Sequence, residues 1–319
     1  SSVQDLGRPG HRASGVSPGG ALDPHGLRVA NLLVGNEPGC AGLELTRGTV
    51  RLRFSEPRIV AWCGGSLDVH AGKCVVSPGR SALLRAGEIL HFVAGPESGR
   101  AWLAISGGID VPLVLGSRST DLRSGFGGHE GRALRDGDAL PLGQLSAWAR
   151  ALMKKLEPST IASWVAPNEW SNASLRHPFL RILPGADRSR FSNAALDALA
   201  RETFTVGAEC DRMGVRLAGP ELSRRRKGDL LSEAVAPGTI QVPPNGQPIV
   251  LLGDCQTIGG YPKIAHVIAV DLPLAAQLRP GDQIRFAETT LVEAQRLVRQ
   301  RERDFEMFRI GLELHTPWS

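Results

Sequence analysis

Along "GTVRLRF" apolar and polar positions alternate: Val50, Leu52 and Phe54 share one face, and Thr49, Arg51 and Arg53 share the other. That is the period of a half-buried strand. The short apolar runs "RIVAW", "ILHFVAG", "AWLAIS", "PIVLL" and "HVIAV" predict further strands. Helical periods are scarcer. Asp23 and Pro24 supply an N-cap and a first-turn proline, Leu27, Ala30, Leu33 and Val34 form the stripe, and Gly35 closes it. A second helix opens at the capping box "TLVE" from Thr290, with Leu291, Ala294, Leu297 and Val298 as its apolar face. A third, capped by Ser192 or Asn193, runs through Leu196 and Leu199.

The pattern LRxG[DE]x[IL] recurs as "LRAGEIL" (84–90), "LRDGDAL" (134–140) and "LRPGDQI" (278–284). Glycine followed by an acid is a turn that launches a strand. The spacing of the copies predicts a mainly β chain of two modules, 1–145 and 179–290, with a C-terminal helix and tail over 291–319. Between the modules, 146–178 changes composition and holds Trp148, Trp164 and Trp170; it is read as an ordered linker packed on a domain surface.

Composition narrows the classes. The 319 residues include 38 glycines and 22 prolines, which suit the dense turns of a barrel or sandwich. No apolar run reaches the ~18 residues of a membrane span, and no charged-then-apolar leader opens the sequence, so a soluble cytoplasmic protein is expected. The net charge is +5, but "SRRRKGD" (223–229) is the one dense basic run and aromatics are 5%, which argues against nucleic acid. Five cysteines without CxxC spacing and eight histidines without HxH or HExxH pairs argue for a reducing compartment and against a metal site.

Candidate chemistry gathers in three places. "VQDLGRPGHRASGVSPGGALDP" (3–24) sets Asp5, Arg8 and His11 among glycines that let a backbone approach a ligand. "ECDRMGVRLAGP" (209–220) brings Asp211 and Arg212, and "LLSEAVAPGTIQVPPNGQP" (230–248) brings Ser232 and Glu233. In "DCQTIGGYPKIAHV" (254–267) the chain's single tyrosine, Tyr261, and Lys263 flank a proline after Gly259 and Gly260, with Gln256 just upstream. Pro262 stiffens this turn, so a phenol and an ammonium are aimed at fixed points. Lys263, Glu233, Asp211 and Tyr261 are the expected catalytic residues. Arg212, Ser232, Gln256, Gly259, Gly260, Asp5, Arg8 and His11 are expected to bind substrate.

These same stretches, with "SRSTDLRSGFGGHEGRAL" (117–134), "GTIQVPPNGQPIVLL" (238–252) and "QTIGGYPKIAHVI" (256–268), resemble the allophanate hydrolase subunit 2 family. That family includes the C subunit of bacterial 5-oxoprolinase, Kip-type anti-inhibitor proteins and the carboxyltransferase region of urea carboxylase and urea amidolyase. The resemblance implies two cyclophilin-like β-barrel modules with a few short helices. It implies first a subunit of an ATP-dependent amide hydrolase that opens 5-oxoproline to glutamate. A biotin-dependent carboxyltransferase or allophanate hydrolase subunit of urea metabolism stands second, and a regulatory protein that binds a kinase inhibitor resembling the B subunit stands third. No GxxxxGK[ST] or biotinyl-lysine segment occurs in the sequence, so ATP, and biotin on the second reading, are expected on partners. Those partners are a homologue of the B subunit, from the Kip-type inhibitor or allophanate hydrolase subunit 1 family, and a homologue of the A subunit. Cys210, Ala234 and Ile258 stand where relatives usually carry serine, glycine and threonine.

Overall fold

The computed structural model describes residues 1–46, 48–95, 98–157, 159–171, 179–225, 228 and 230–315. Arg226, Lys227 and Asp229 of the basic run and positions 172–178 of the expected linker lie outside the described residues. The chain forms two compact units: Ser1–Arg8 with Gly19–Ser174 and Arg303–Ser319, and Pro9–Pro18 with Leu175–Glu302.

The first unit holds β1 (Ser2–Gln4), β2 (Gly42–Leu45), β3 (Val50–Arg53), β4 (Arg58–Gly64), β5 (Leu67–Ala71), β6 (Cys74–Val75), β7 (Ala82–Leu84), β8 (Ile89–Ala94) and β9 (Ala101–Ile105). They make a five-stranded sheet, β1-β2-β9-β4-β7, and a four-stranded sheet, β3-β8-β5-β6. Val60 and Trp62 of β4 join a core shared with Leu90, Phe92 and Val69 of the smaller sheet. Their neighbours Ile59, Ala61 and Cys63 point the other way, into a second core. Successive strand residues face opposite sides, and β4 is buried along its whole length because both sides are covered. That explains why "RIVAW" reads as a continuous apolar run rather than an alternation.

The covering layer is helical. In α1 (Pro24–Leu33) the Asp23 carboxylate accepts from the backbone N–H of Gly26 at 2.8 Å, the N-cap read from sequence. Gly35 ends the helix at φ +78°, where a Cβ would come within 2.7 Å of Ala149. Ala149 belongs to α2 (Ala147–Leu156), which with the short α3 (Asn168–Ser171) gives the expected linker regular structure inside this unit. Phe305 and Leu312, near the end of α6 (Leu291–His315), complete the second core.

The second unit is a closed seven-stranded barrel. Its strands are β10 (Phe179–Pro184), β11 (Phe204–Cys210), β12 (Gly214–Ala218), β14 (Thr239–Gln241), β15 (Ile249–Leu251), β17 (Lys263–Val267) and β18 (Gln283–Glu288). The parallel pairing of β10 with β18 closes the ring. A separate ribbon pairs β13 (Glu233–Ala234) with β16 (Ile258–Gly259). The helices are α4 (Asn193–Arg201), whose cap is Ser192 and not Asn193, and α5 (Leu272–Gln277).

The chain is therefore mainly β, with its barrel in the second unit and two packed sheets in the first. "HVIAV" is only half strand: β17 begins earlier, at Lys263, and Ala269–Asp271 is a 3-10 turn. Leu291, placed on the apolar face of α6 from sequence, is 59% exposed, and Ala294 is the buried residue of that first turn. The hydrophobic stripe begins one turn later than a capping box alone suggests.

The three repeats are one turn used three times. Glu88, Asp138 and Asp282 accept from the backbone N–H of Arg85, Arg135 and Arg279 at 2.6, 2.8 and 2.8 Å. The intervening Gly87, Gly137 and Gly281 sit at φ +85°, +90° and +90°, a region L side chains avoid. The first and last copies launch β8 and β18.

Candidate functional site

β17 opens with Lys263, whose side chain is only 8% exposed. Its ammonium donates to the Glu233 carboxylate and lies 3.6 Å from Asp187 Oδ2. Asp187 also accepts from the Lys263 backbone N–H at 3.0 Å, while its own N–H donates to the Lys263 carbonyl at 3.1 Å. Gly185 makes this approach possible, since a Cβ there would come 2.2 Å from the Lys263 carbonyl oxygen. Arg190 Nε sits 3.4 Å from Asp187 Oδ1, so two cations face two carboxylates. The Asp187 side chain is 14% exposed, whereas that of Glu233 is 64% exposed and reaches solvent.

Glu233 is placed by the ribbon, where it is the register partner of Gly259. A Cβ at Gly259 would come 2.8 Å from Gln241 Nε2 and 3.3 Å from Gln256 Nε2, so this position leaves room for two amide side chains. Gln241 stands opposite Lys263 in the β14–β17 ladder, and opposed residues of an antiparallel pair share a face. Gly260 lies beside Ser232, whose Oγ would be 3.5 Å from a Cβ there. Tyr261 is 46% exposed, and its backbone carbonyl accepts from Gln241. Lys263, Glu233, Gln256, Gly259, Gly260, Tyr261 and Ser232 therefore converge on one end of the barrel.

The chemistry around this cluster is defined by its neighbours. His266 is held below its ordinary value, first by burial and then by the positive charge of Lys263; its Nδ1 is 3.2 Å from Thr239 Oγ1. Burial pushes the Cys255 thiol up to about 11, which keeps it protonated at neutral pH and removes it as a nucleophile. Among the described residues no cluster of His, Cys, Asp and Glu has the makings of a metal site.

Other predicted residues serve elsewhere. Asp211 Oδ1 accepts from the N–H groups of Met213 and Gly214 at 2.7 and 3.2 Å, closing the turn between β11 and β12. Arg212 does not pair with Asp211: it makes a buried two-pronged bridge to Asp254, at 2.7 and 2.9 Å. Asp5 is buried in the first unit. Its Oδ1 accepts from Gly7 N–H at 2.8 Å and from Ser117 and Ser119 Oγ at 2.6 Å each, and its Oδ2 accepts from Arg118 N–H at 2.6 Å. Arg8, 1% exposed, donates to the Ser119 carbonyl and stacks 4.8 Å from the centre of the Phe126 ring. The carbonyl of His11 accepts from Ser14 and Val16 N–H in the short segment that belongs to the second unit.

Sequence reasoning missed Asp187 and Gln241. Gln241 sits inside a quoted motif, and the signal for Asp187 is the glycine two residues before it, placed just after a strand.

Three comparisons bear on the whole chain. A model of the "Carboxyltransferase domain, subdomain A and B" family matches residues 14–288. The sequence is 41% identical over 305 residues to the 5-oxoprolinase C subunit of Escherichia coli K12, covering 96% of this chain and 93% of that one. Among solved structures it resembles Kluyveromyces lactis urea carboxylase, with a TM-score of 0.86 at 28% identity, over 96% of this chain and 28% of that one. It also resembles TTHA0988, with a TM-score of 0.75 at 35% identity, over 89% of this chain and about half (53%) of that one.

Proposed function

The chain belongs to the carboxyltransferase domain family, subdomains A and B, and from that premise we propose that it is the C subunit of a cytoplasmic 5-oxoprolinase, acting with homologues of the B and A subunits. The observation that carries the reading is the near end-to-end match to a 5-oxoprolinase C subunit, 96% of one chain on 93% of the other. The site's chemistry supports it. Opening a lactam requires a cation at the carbonyl oxygen, where negative charge develops, and a group that moves protons. Lys263 supplies the first from a fixed, largely buried position. Glu233, paired with Lys263 yet open to solvent, is the base, with Asp211 set aside because its carboxylate closes a turn. Tyr261, two residues before Lys263 and 46% exposed, offers a phenol from the same turn.

ATP drives such a reaction, and the residues here do not fit its phosphates. Lys263 and Arg190 are already balanced by Glu233 and Asp187, so the cluster has no positive excess for a triphosphate. We assign ATP to a partner chain. Co-purification with tagged homologues of the B and A subunits should yield a complex that converts 5-oxoproline to glutamate with ATP. Turnover by this chain alone would overturn the partner requirement, and a complex inert toward 5-oxoproline would overturn the substrate.

The second reading, a carboxyltransferase, is favoured by the urea carboxylase likeness. Transfer of a carboxyl group from carboxybiotin to urea by the same complex would decide for it.

A further inference from the structure

Polar groups beside Lys263 form a ladder whose direction is fixed by chemistry. Gln241 is 1% exposed, and its Nε2 donates to the Tyr261 backbone carbonyl at 3.1 Å. A carbonyl only accepts, so the amide end of Gln241 faces Tyr261 and its Oε1 must point away. That Oε1 accepts from Gln256 Nε2 at 3.2 Å. An oxygen acceptor demands a donor, so Gln256 is oriented in turn: its NH₂ end is engaged and its Oε1 is the end turned outward. Among the described residues no donor reaches that Oε1. Gln256 is half-buried, and the glycine at 259 seats both amides against bare backbone.

A backbone carbonyl thus sets the polarity of a side chain two hydrogen bonds away. A Gln with no fixed partner presents either end to a ligand, whereas this one is held by its NH₂ end and keeps its Oε1 as the acceptor on offer. Gln241 is the register partner of Lys263, and Gly259, against which the Gln256 amide lies, is the register partner of Glu233, the carboxylate that takes the Lys263 ammonium; the amide pair and the cation are thus built around the same two ladder positions.

We propose that this ladder is a polarity filter that selects secondary lactams. Gln256 Oε1 accepts from the ring N–H while Lys263 holds the carbonyl oxygen, and Gln241 is a positioning residue that sets Gln256. The inference rests on the lactam reading above and adds the feature of the substrate that is read. A lactam amide is held cis, so its N–H and C=O leave the ring on one edge, where a neighbouring acceptor and cation read both. A ring-oxygen lactone or an N-methyl lactam has no proton for Gln256. A site built around a hydrogen bond to N–H discriminates strongly against an analogue that lacks it.

The test uses the reconstituted complex and three compounds: 5-oxoproline, its ring-oxygen lactone counterpart and N-methyl-5-oxoproline. Turnover of the first and competitive inhibition by the other two are compared for the native protein, Gln256→Met and Gln241→Met, with assembly checked by size exclusion. The native complex should favour 5-oxoproline over both analogues. Gln256→Met should lower kcat/KM for 5-oxoproline by about 10² while leaving inhibition by the two analogues within a few-fold, and Gln241→Met should lower it by about 10, because an unpositioned Gln256 still finds the acceptor orientation part of the time. A loss of packing alone would weaken all three compounds together, so the ratio separates the two roles. Unchanged preference in Gln256→Met, with turnover retained, would overturn the filter and leave the lactam reading standing. An inert native complex would overturn both.

Discussion

Asp5 in the first unit and Lys263 in the second are both charged groups in glycine-rich polar stretches, and both are buried; they differ in how fully they are satisfied. The Asp5 carboxylate accepts from two backbone N–H groups and two serine hydroxyls, all from its own unit. Its neighbour Arg8 is 1% exposed and engaged with the Ser119 carbonyl and the Phe126 ring. Both oxygens of the Asp5 carboxylate are engaged within the fold. Lys263 has two carboxylates, one 14% and one 64% exposed, beside a tyrosine that is half in solvent. Burial with saturation builds a fold. Burial of the charge with one open partner leaves something to do, which is how preorganised electrostatic sites are arranged.

The sharpest way to break this contrast is Asp5→Ala. It would leave the Ser117, Ser119, Gly7 and Arg118 donors without their acceptor in a buried setting, which costs about 3–4 kcal/mol of folding stability. The loss should appear as a lower urea midpoint for the chain. A shift worth under about 1 kcal/mol would mean that the knot is not what holds the loop. Lys263→Met is the matching change on the other side. Turnover of the assembled complex should fall roughly 10²-fold or more, about 3 kcal/mol of transition-state stabilisation. Its urea midpoint should move much less than that of Asp5→Ala. Equal losses of stability in the two variants would erase the distinction.

Asp187→Asn probes the middle ground. An asparagine Oδ1 still accepts from the Lys263 backbone N–H, so the turn persists, while the charge that fixes the ammonium and Arg190 is gone. Turnover should drop about tenfold with KM nearly unchanged, as expected when a transition-state interaction is loosened rather than a binding contact removed. A KM effect without a kcat effect would count against a positioning role.

How far such differences can be read from sequence depends on range. Caps, repeats and strand alternation are local, so Asp23, Ser192 and the three glycine-acid turns were legible: each uses partners within three residues. The cluster around Lys263 was legible as far as its stiff Gly-Gly-Tyr-Pro frame, and Glu233 came with it. Asp187 is 76 positions away from its partner, in "PGADRSR", where Gly185 after a strand is a local sign but nothing points to Lys263. Arg212 and Asp211 are adjacent in the bend after β11, yet the Asp211 carboxylate turns back onto the Met213 and Gly214 N–H groups while Arg212 reaches Asp254, 42 positions on. Asp5 and Arg8 show the limit from the opposite side. Composition shows that polar groups sit among glycines but cannot show that serines from 117 and 119 consume them.

The smallest expected effect is also the most direct reading of the field at Lys263. His266 is held below its ordinary value by burial first and by the Lys263 charge second. Lys263→Met removes the second cause and keeps the first, so the His266 pKa should rise while staying below 6.5, the ordinary value. The sign carries over to stability. A histidine whose folded pKa lies below its unfolded value takes up protons more readily unfolded, so its contribution is full above the unfolded pKa and is lost as pH falls through that value toward the folded one. With a smaller depression, Lys263→Met should lose less stability from this group on acidification than the native chain. Titration of the ring protons by NMR, assigned with His266→Gln, measures the first effect directly. An unmoved His266 would mean that the ammonium is screened from its neighbour as thoroughly as a surface charge, and the contrast between the open cluster and the saturated one would lose its electrostatic basis.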